Sequence, residues 1–227
     1  MRRVIVVLVG ALLALTLLVP QAAAQTNPEP AIIRVTHLSP NTPDINVYLD
    51  GERIFLEQSY ATTSAFRAVA PGPHQVIVSL AADDANVPIA ELTIDLIRGR
   101  PYTLAVINTL EDVEAVLLRD STDVPEPGQT RVRVVHAAPN AGLLDVWPVG
   151  SPFPILTDQY FGQVDYVNVP AGEYVFNFTA AGSPDVLLTS QQLRFEPGWT
   201  YTIAVTGTAP EGEEPLIVHA AVDRVGG

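Results

Sequence analysis

Two histidines have the side chains for chemistry at neutral pH. His37 and His136 stand 99 residues apart in matching surroundings, Arg34-Val35-Thr36-His37-Leu38-Ser39-Pro40-Asn41 and Arg133-Val134-Val135-His136-Ala137-Ala138-Pro139-Asn140. Imidazole can ligate a metal or move a proton. No His-x-His or His-Glu-x-x-His spacing supports a metal, and alternation sets each ring on an apolar strand face. There it would hydrogen-bond the backbone of the following Pro-Asn loop, so both read as structural. His74 and His219 have no such match and read as incidental.

Carboxylates are the second source of chemistry. Asp44, Asn46 and Asp50 lie close in sequence, as do Asp83, Asp84 and Asn86. Calcium takes about six to eight oxygen ligands and suits acidic loops of exported proteins. Neither cluster has a known loop spacing, and both read as solvated acidic faces. A calcium-stabilised surface module stays open as an alternative, as does an extracellular hydrolase whose distant acids converge. The run Glu211-Gly212-Glu213-Glu214 reads as an exposed loop tip. No cofactor, metal ligand or catalytic residue is assigned.

Aromatic rings are the third. Tyr48 and Trp147 occupy matching positions on the outward face of a strand, where a ring can stack on a sugar or bind a partner protein. They are the candidate binding residues. Trp199 reads as a local plug.

Composition removes other classes. The chain has 227 residues, a formal charge of −13, no cysteine and twelve basic residues that are all arginine. Disulfides, thiolate metal sites and cysteine nucleophiles are excluded, as are a Schiff-base lysine and a lysine-bearing phosphate loop. So acidic a chain cannot easily build a nucleic-acid-binding patch. No Gly-x-Ser-x-Gly elbow is present, and the chain reads as a non-enzyme.

The elements that position these residues are strands. Ile33, Val35 and His37 share one face, as do Val132, Val134 and His136, with Arg34 and Arg133 on the other; the period is two. Ile45, Val47 and Leu49 alternate with Asp44, Asn46 and Tyr48, and Asp50-Gly51 is a two-residue hairpin turn. Tyr102 and Tyr201 follow Gly-x-Pro and Pro-Gly corners at the start of a late strand. Each resembles a tyrosine corner, whose hydroxyl bonds back to the chain upstream. The pattern recurs: Gly99-Arg100-Pro101-Tyr102-Thr103 returns as Gly198-Trp199-Thr200-Tyr201-Thr202. The expectation is all-β, two tandem immunoglobulin-like antiparallel β-sandwich domains. The units are 31–119 and 130–222, joined by a linker at 120–129, with a lead-in at 25–30 and a tail at 223–227. Met1-Arg2-Arg3, an apolar run to Val19, Pro20 and Ala22-Ala23-Ala24 have the layout of a signal peptide cleaved after residue 24.

The run Arg-Val-x-His-x-x-Pro-Asn, the Asp/Asn-Val-Tyr/Trp strand and the Val-x-Pro/Ala-Gly turn resemble the bacterial family called domain of unknown function 4397. Both copies carry the pattern, so the resemblance spans nearly all the chain after residue 24. The second copy departs at Pro148 and Ser151-Pro152, where the first has Leu49 and Glu52-Arg53, which puts its hairpin in question. The resemblance implies exported tandem β-sandwich modules and supplies no catalytic residues. The expected function is a secreted or cell-envelope structural or adhesive binding module. Its partner would be an envelope or matrix polymer or another surface protein, with no nucleic acid and no membrane span in the mature chain.

Overall fold

Alternating sequences such as Ile33-Arg34-Val35-Thr36-His37 can bury one side chain in two only as strands, and strands are what forms. The computed structural model describes residues 29–83, 85–208 and 215–223; the expected signal peptide and the acidic loop tip lie outside them. The described residues are nearly all β, with a single 3-10 turn at Leu110–Asp112.

The first half supplies β1 (Ala31–His37), β2 (Ile45–Leu49), β3 (Glu52–Gln58), β4 (Thr62–Thr63), β5 (Arg67–Val69), β6 (Gly72–Leu80), β7 (Pro88–Leu96), β8 (Pro101–Ile107) and β9 (Glu114–Arg119). The second supplies β10 (Gln129–Ala137), β11 (Leu144–Pro148), β12 (Leu156–Gln159), β13 (Val164–Pro170), β14 (Gly172–Tyr174), β15 (Phe176–Ala180), β16 (Val186–Thr189), β17 (Leu193–Phe195), β18 (Thr200–Thr206) and β19 (Ile217–Val222). The sheets run β4-β1-β8-β9 with β5 also on β1, β3-β2-β6-β7, β13-β10-β18-β19, β12-β11-β15-β16 and β14-β17. Asp50 and Gly51 both take positive φ, 50° and 85°, as a tight β2–β3 hairpin requires.

The two halves share a register. β1 runs parallel to β8 with Ile33 opposite Tyr102, and β10 runs parallel to β18 with Val132 opposite Tyr201. An immunoglobulin constant order puts the last two strands on the sheet opposite the first. Here β8 and β9 share the sheet of β1, so that strand order is not the one adopted.

One apolar cluster, with Ile33, Val47, Val78 and Leu104, fills the space between the two sheets of the first half. Another, with Val134, Val146, Phe178 and Ile203, does so in the second. A third joins the halves: Leu38, Ala105 and Ile107 pack with Val135, Ala137 and Ala204. The outer faces of the β1–β8 and β10–β18 sheets therefore meet, and these parallel pairs are covered on both sides, as parallel pairs generally are. Arg34 and Arg133, which alternation points away from the cores, are consequently 3% and 0% exposed.

Candidate functional site

His37 is the last residue of β1 and His136 the last but one of β10, in matching surroundings. Nδ1 of His37 accepts the Ser39 amide at 3.3 Å, and Nε2 meets the Pro43 carbonyl at 3.2 Å. Nδ1 of His136 accepts the Ala138 amide at 3.3 Å, and Nε2 meets Gly142 O at 2.8 Å. An amide can only donate, so Nδ1 is the acceptor and Nε2 carries the proton. Burial lowers both histidines from the usual 6.5, against the pull of the carbonyls of Pro43 and Gly142. Tyr102 and Tyr201 sit in their cores, and each hydroxyl accepts an amide five residues upstream, from Ile97 and Glu196, at 3.0 Å.

Among the described residues the acidic clusters do not form a cage. Asn46 is buried, with Oδ1 accepting the amide of Glu57 and Nδ2 donating to Ala81 O. Asp145 repeats this role: Oδ1 accepts the Asp158 amide at 2.8 Å and Oδ2 the Gly182 amide at 3.0 Å. Glu57 and Asp158 have positive φ, 48° and 53°, beside β-bulges in β2–β3 and β11–β12. The side chain at position 46 or 145 is thus the acceptor that holds a bulge. Asp50 is engaged by His74 and the Gln75 amide, and Asp84 lies outside the described residues. Among the described residues, no three His, Cys, Asp or Glu side chains gather as a metal site.

Two carboxylates do converge, where sequence reasoning placed a linker and a tail. Asp120 and Asp223 are both 2% exposed. Arg133 Nη1 donates to Asp120 at 2.6 Å and its Nε to Thr202 Oγ1 at 2.8 Å. Arg34 mirrors it, with Nε on Thr103 Oγ1 at 2.9 Å and Nη2 on Asp223. Thr103 and Thr202 in turn donate to Asp120 and Asp223. Each arginine is held by a threonine of its own half and reaches the carboxylate of the other. Burial pushes the Asp120 carboxyl up against the pull of Arg133 and Arg34. Burial pulls Arg133 down, but Asp223 and Asp120 more than reverse it, so the guanidinium stays charged. With no free acid and no access, the cluster joins the halves. Arg34 with Arg133 and Thr103 with Thr202, matched at offset 99, were the signal that could have revealed it.

Tyr48 and Trp147 part company. Tyr48 is 8% exposed and offers no ring to solvent. The hairpin at Asp50-Gly51 brings Arg53 opposite it on β3, with Ile77 on its other side. Trp147 has Asn177 on one side and no strand partner on the other. Pro148, Pro152 and Pro154 lack amide donors, so β12 begins only at Leu156. The result is a surface concavity of about 530 Å³ beside Trp147, lined also by Pro148, Asn177, Thr179, Ser183 and Val186. Exposed Val149 and Val186 extend its apolar rim, and Trp147 Nε1 and Thr179 Oγ1 are buried without a hydrogen-bond partner.

These features define a layered all-β protein whose described residues form an aromatic concavity on an outer sheet face. The family profile described as "Domain of unknown function (DUF4397)" matches residues 31–147, and the chain belongs to that family. No curated protein matches it. Solved structures with remote similarity include an alpha-glucan-binding streptococcal virulence factor, with 11% identity over 77% of this chain and 92% of that one, TM-score 0.26. Another is the minor pilin GBS52 of Streptococcus agalactiae, with 10% identity over 82% and 99%, TM-score 0.28. A third is the family CBM26 module of Eubacterium rectale Amy13K in complex with maltoheptaose, with 10% identity over 87% and 97%, TM-score 0.25. Among the described residues no helix is long and apolar enough to cross a membrane.

Proposed function

We propose that the protein is an exported binding module of the cell envelope or its surroundings. It would consist of two tandem sandwich domains, 31–119 and 130–222, and engage its ligand through the Trp147 face. The observation that carries this reading is the concavity itself, an aromatic and apolar hollow with convergent polar side chains, which is the usual make-up of a ligand site. The signal-peptide layout of residues 1–24 supports export. The buried ion pairs Arg34–Asp223 and Arg133–Asp120, which run between the two halves, support a structural role.

The test is retention. Residues 25–227 are mixed with envelope and matrix fractions, with calcium and then with a chelator. Retention is expected in both buffers and should fall about tenfold or more for Trp147→Ala, a loss of the size a central aromatic contact gives. Tyr48→Ala should bind normally if folded. Retention that ignores Trp147 overturns the assignment of the face, and no retention overturns the binding module.

A further inference from the structure

We propose that the Trp147 concavity takes a neutral saccharide chain; this rests on the reading of that face as the ligand site. Its lining divides into two chemistries. Trp147, Pro148 and Val186 give an apolar wall, and the indole adds a flat, electron-rich face. Asn177, Thr179 and Ser183 give amide and hydroxyl groups; Asn177 Oδ1 already accepts from Thr189 and Ser183 Oγ from the Asp185 amide, which leaves the Asn177 amide hydrogens, the Ser183 hydroxyl hydrogen and the Thr179 hydroxyl for a ligand. A sugar ring has the matching halves: a C–H face that lies on an aromatic ring, and hydroxyls that both donate and accept.

Charge narrows the choice. The described lining holds no arginine or histidine, and both oxygens of Asp145 are already engaged by amides. An anionic polymer would meet no cation there while approaching a chain of charge −13. An extended peptide pairs along a strand edge, and the short open edge of β11 at Trp147 runs directly into Pro148, which has no amide to donate. Asn177 and Thr179 instead alternate with the core residues Phe176 and Phe178 along β15 and so stand on its outer face, beside Trp147 on β11.

Trp147 Nε1 and Thr179 Oγ1, buried and unpaired, are the second observation. Buried polar atoms nearly always have partners. A ligand hydroxyl can supply them once the indole tilts outward, and that movement would change tryptophan emission.

The experiment is tryptophan fluorescence titration and affinity electrophoresis of residues 25–227. The neutral probes are amylose, dextran, mannan, xylan and laminarin; the anionic probes are alginate and polygalacturonate. At least one neutral polysaccharide should bind with an emission change, and neither anionic one should. Trp147→Ala should weaken binding about tenfold or more, and Thr179→Val, which keeps the shape but not the hydroxyl, about threefold to tenfold. A silent neutral panel, equal binding by Trp147→Ala, or preference for the anionic polymers overturns the saccharide. If envelope retention still depends on Trp147 while the neutral panel is silent, the saccharide class falls and the ligand face stands. If retention ignores Trp147, both fall.

Discussion

Tyr102 and Tyr201 differ from phenylalanine by one oxygen, and that oxygen accepts a single upstream amide. Replacing either by phenylalanine keeps the ring in its core and strands the amide. Each change should lower stability by about 1–2 kcal/mol. The two losses should add, because the residues belong to separate clusters. Urea denaturation measures both, and a negligible loss at either would mean that water replaces the hydroxyl. His37 and His136 add a pH dependence. Protonating Nδ1 would set its N–H against the N–H of Ser39 or Ala138, and burial already lowers both groups. Below about pH 6.5 the unfolded chain takes up protons that the folded chain resists. Stability is therefore full above that value and falls as pH drops, by up to about 1.4 kcal/mol per pH unit for each histidine. Asp120 has the opposite sign, since its raised carboxyl binds a proton more readily when folded, and its window opens at 3.8. Comparing pH 7.5 with pH 5.5, His136→Gln should start less stable than the parent and decline less steeply; an equal decline would show that this histidine does not titrate in the window.

The strands of both halves follow an audible period of two, but two elements show where backbone geometry decides. Gly51 and Gly207 both have positive φ, 85° and 112°. A Cβ at Gly51 would meet nothing, whereas at Gly207 it would run into the Pro215 carbonyl, where the chain returns towards β19. Gly51→Ala should thus cost only the left-handed strain, about 1–2 kcal/mol, and Gly207→Ala distinctly more, as overpacking adds to strain. Melting curves of the two variants give the order, and equal shifts would mean that the chain after Gly207 moves aside freely. Strand positions, the Asp50-Gly51 hairpin and the outward placement of Trp147 were legible because each depends on neighbours close in sequence. The burial of Tyr48 was not, although Glu52-Arg53 against Ser151-Pro152 already marked the two hairpins as unlike. In the first half β3 starts right after the turn and sets Arg53 opposite Tyr48, whereas β12 has no residue opposite Trp147. Asn46 was also misleading: it reads as part of a solvated acidic face, yet it is fully buried, because its amide is aimed at a bulge that no local spacing reveals.

At the scale of the whole molecule, alternation could show that Arg34 and Arg133 leave their own cores but not that they enter a shared interface. That interface has an apolar part around Leu38 and Val135 and an ionic part around Arg34, Arg133, Asp120 and Asp223. Removing one member of a buried ion network leaves a charge without its partner, at a cost of about 3–5 kcal/mol. Arg133→Met should lose about that much, and Asp120→Asn on the same background should recover part of it. The variant should also uncouple the halves. Both tryptophans, Trp147 and Trp199, belong to the second half, so fluorescence follows that half, while circular dichroism follows the strands of both. In urea the parent should give coincident transitions by the two probes, the mark of one cooperative unit. Arg133→Met should separate them, with the two halves melting at different urea concentrations. Transitions that remain coincident at a lower midpoint would assign the cohesion of the halves to the apolar cluster around Leu38 and Val135, and leave the four buried charges the narrower task of fixing the register in which the two sheets meet.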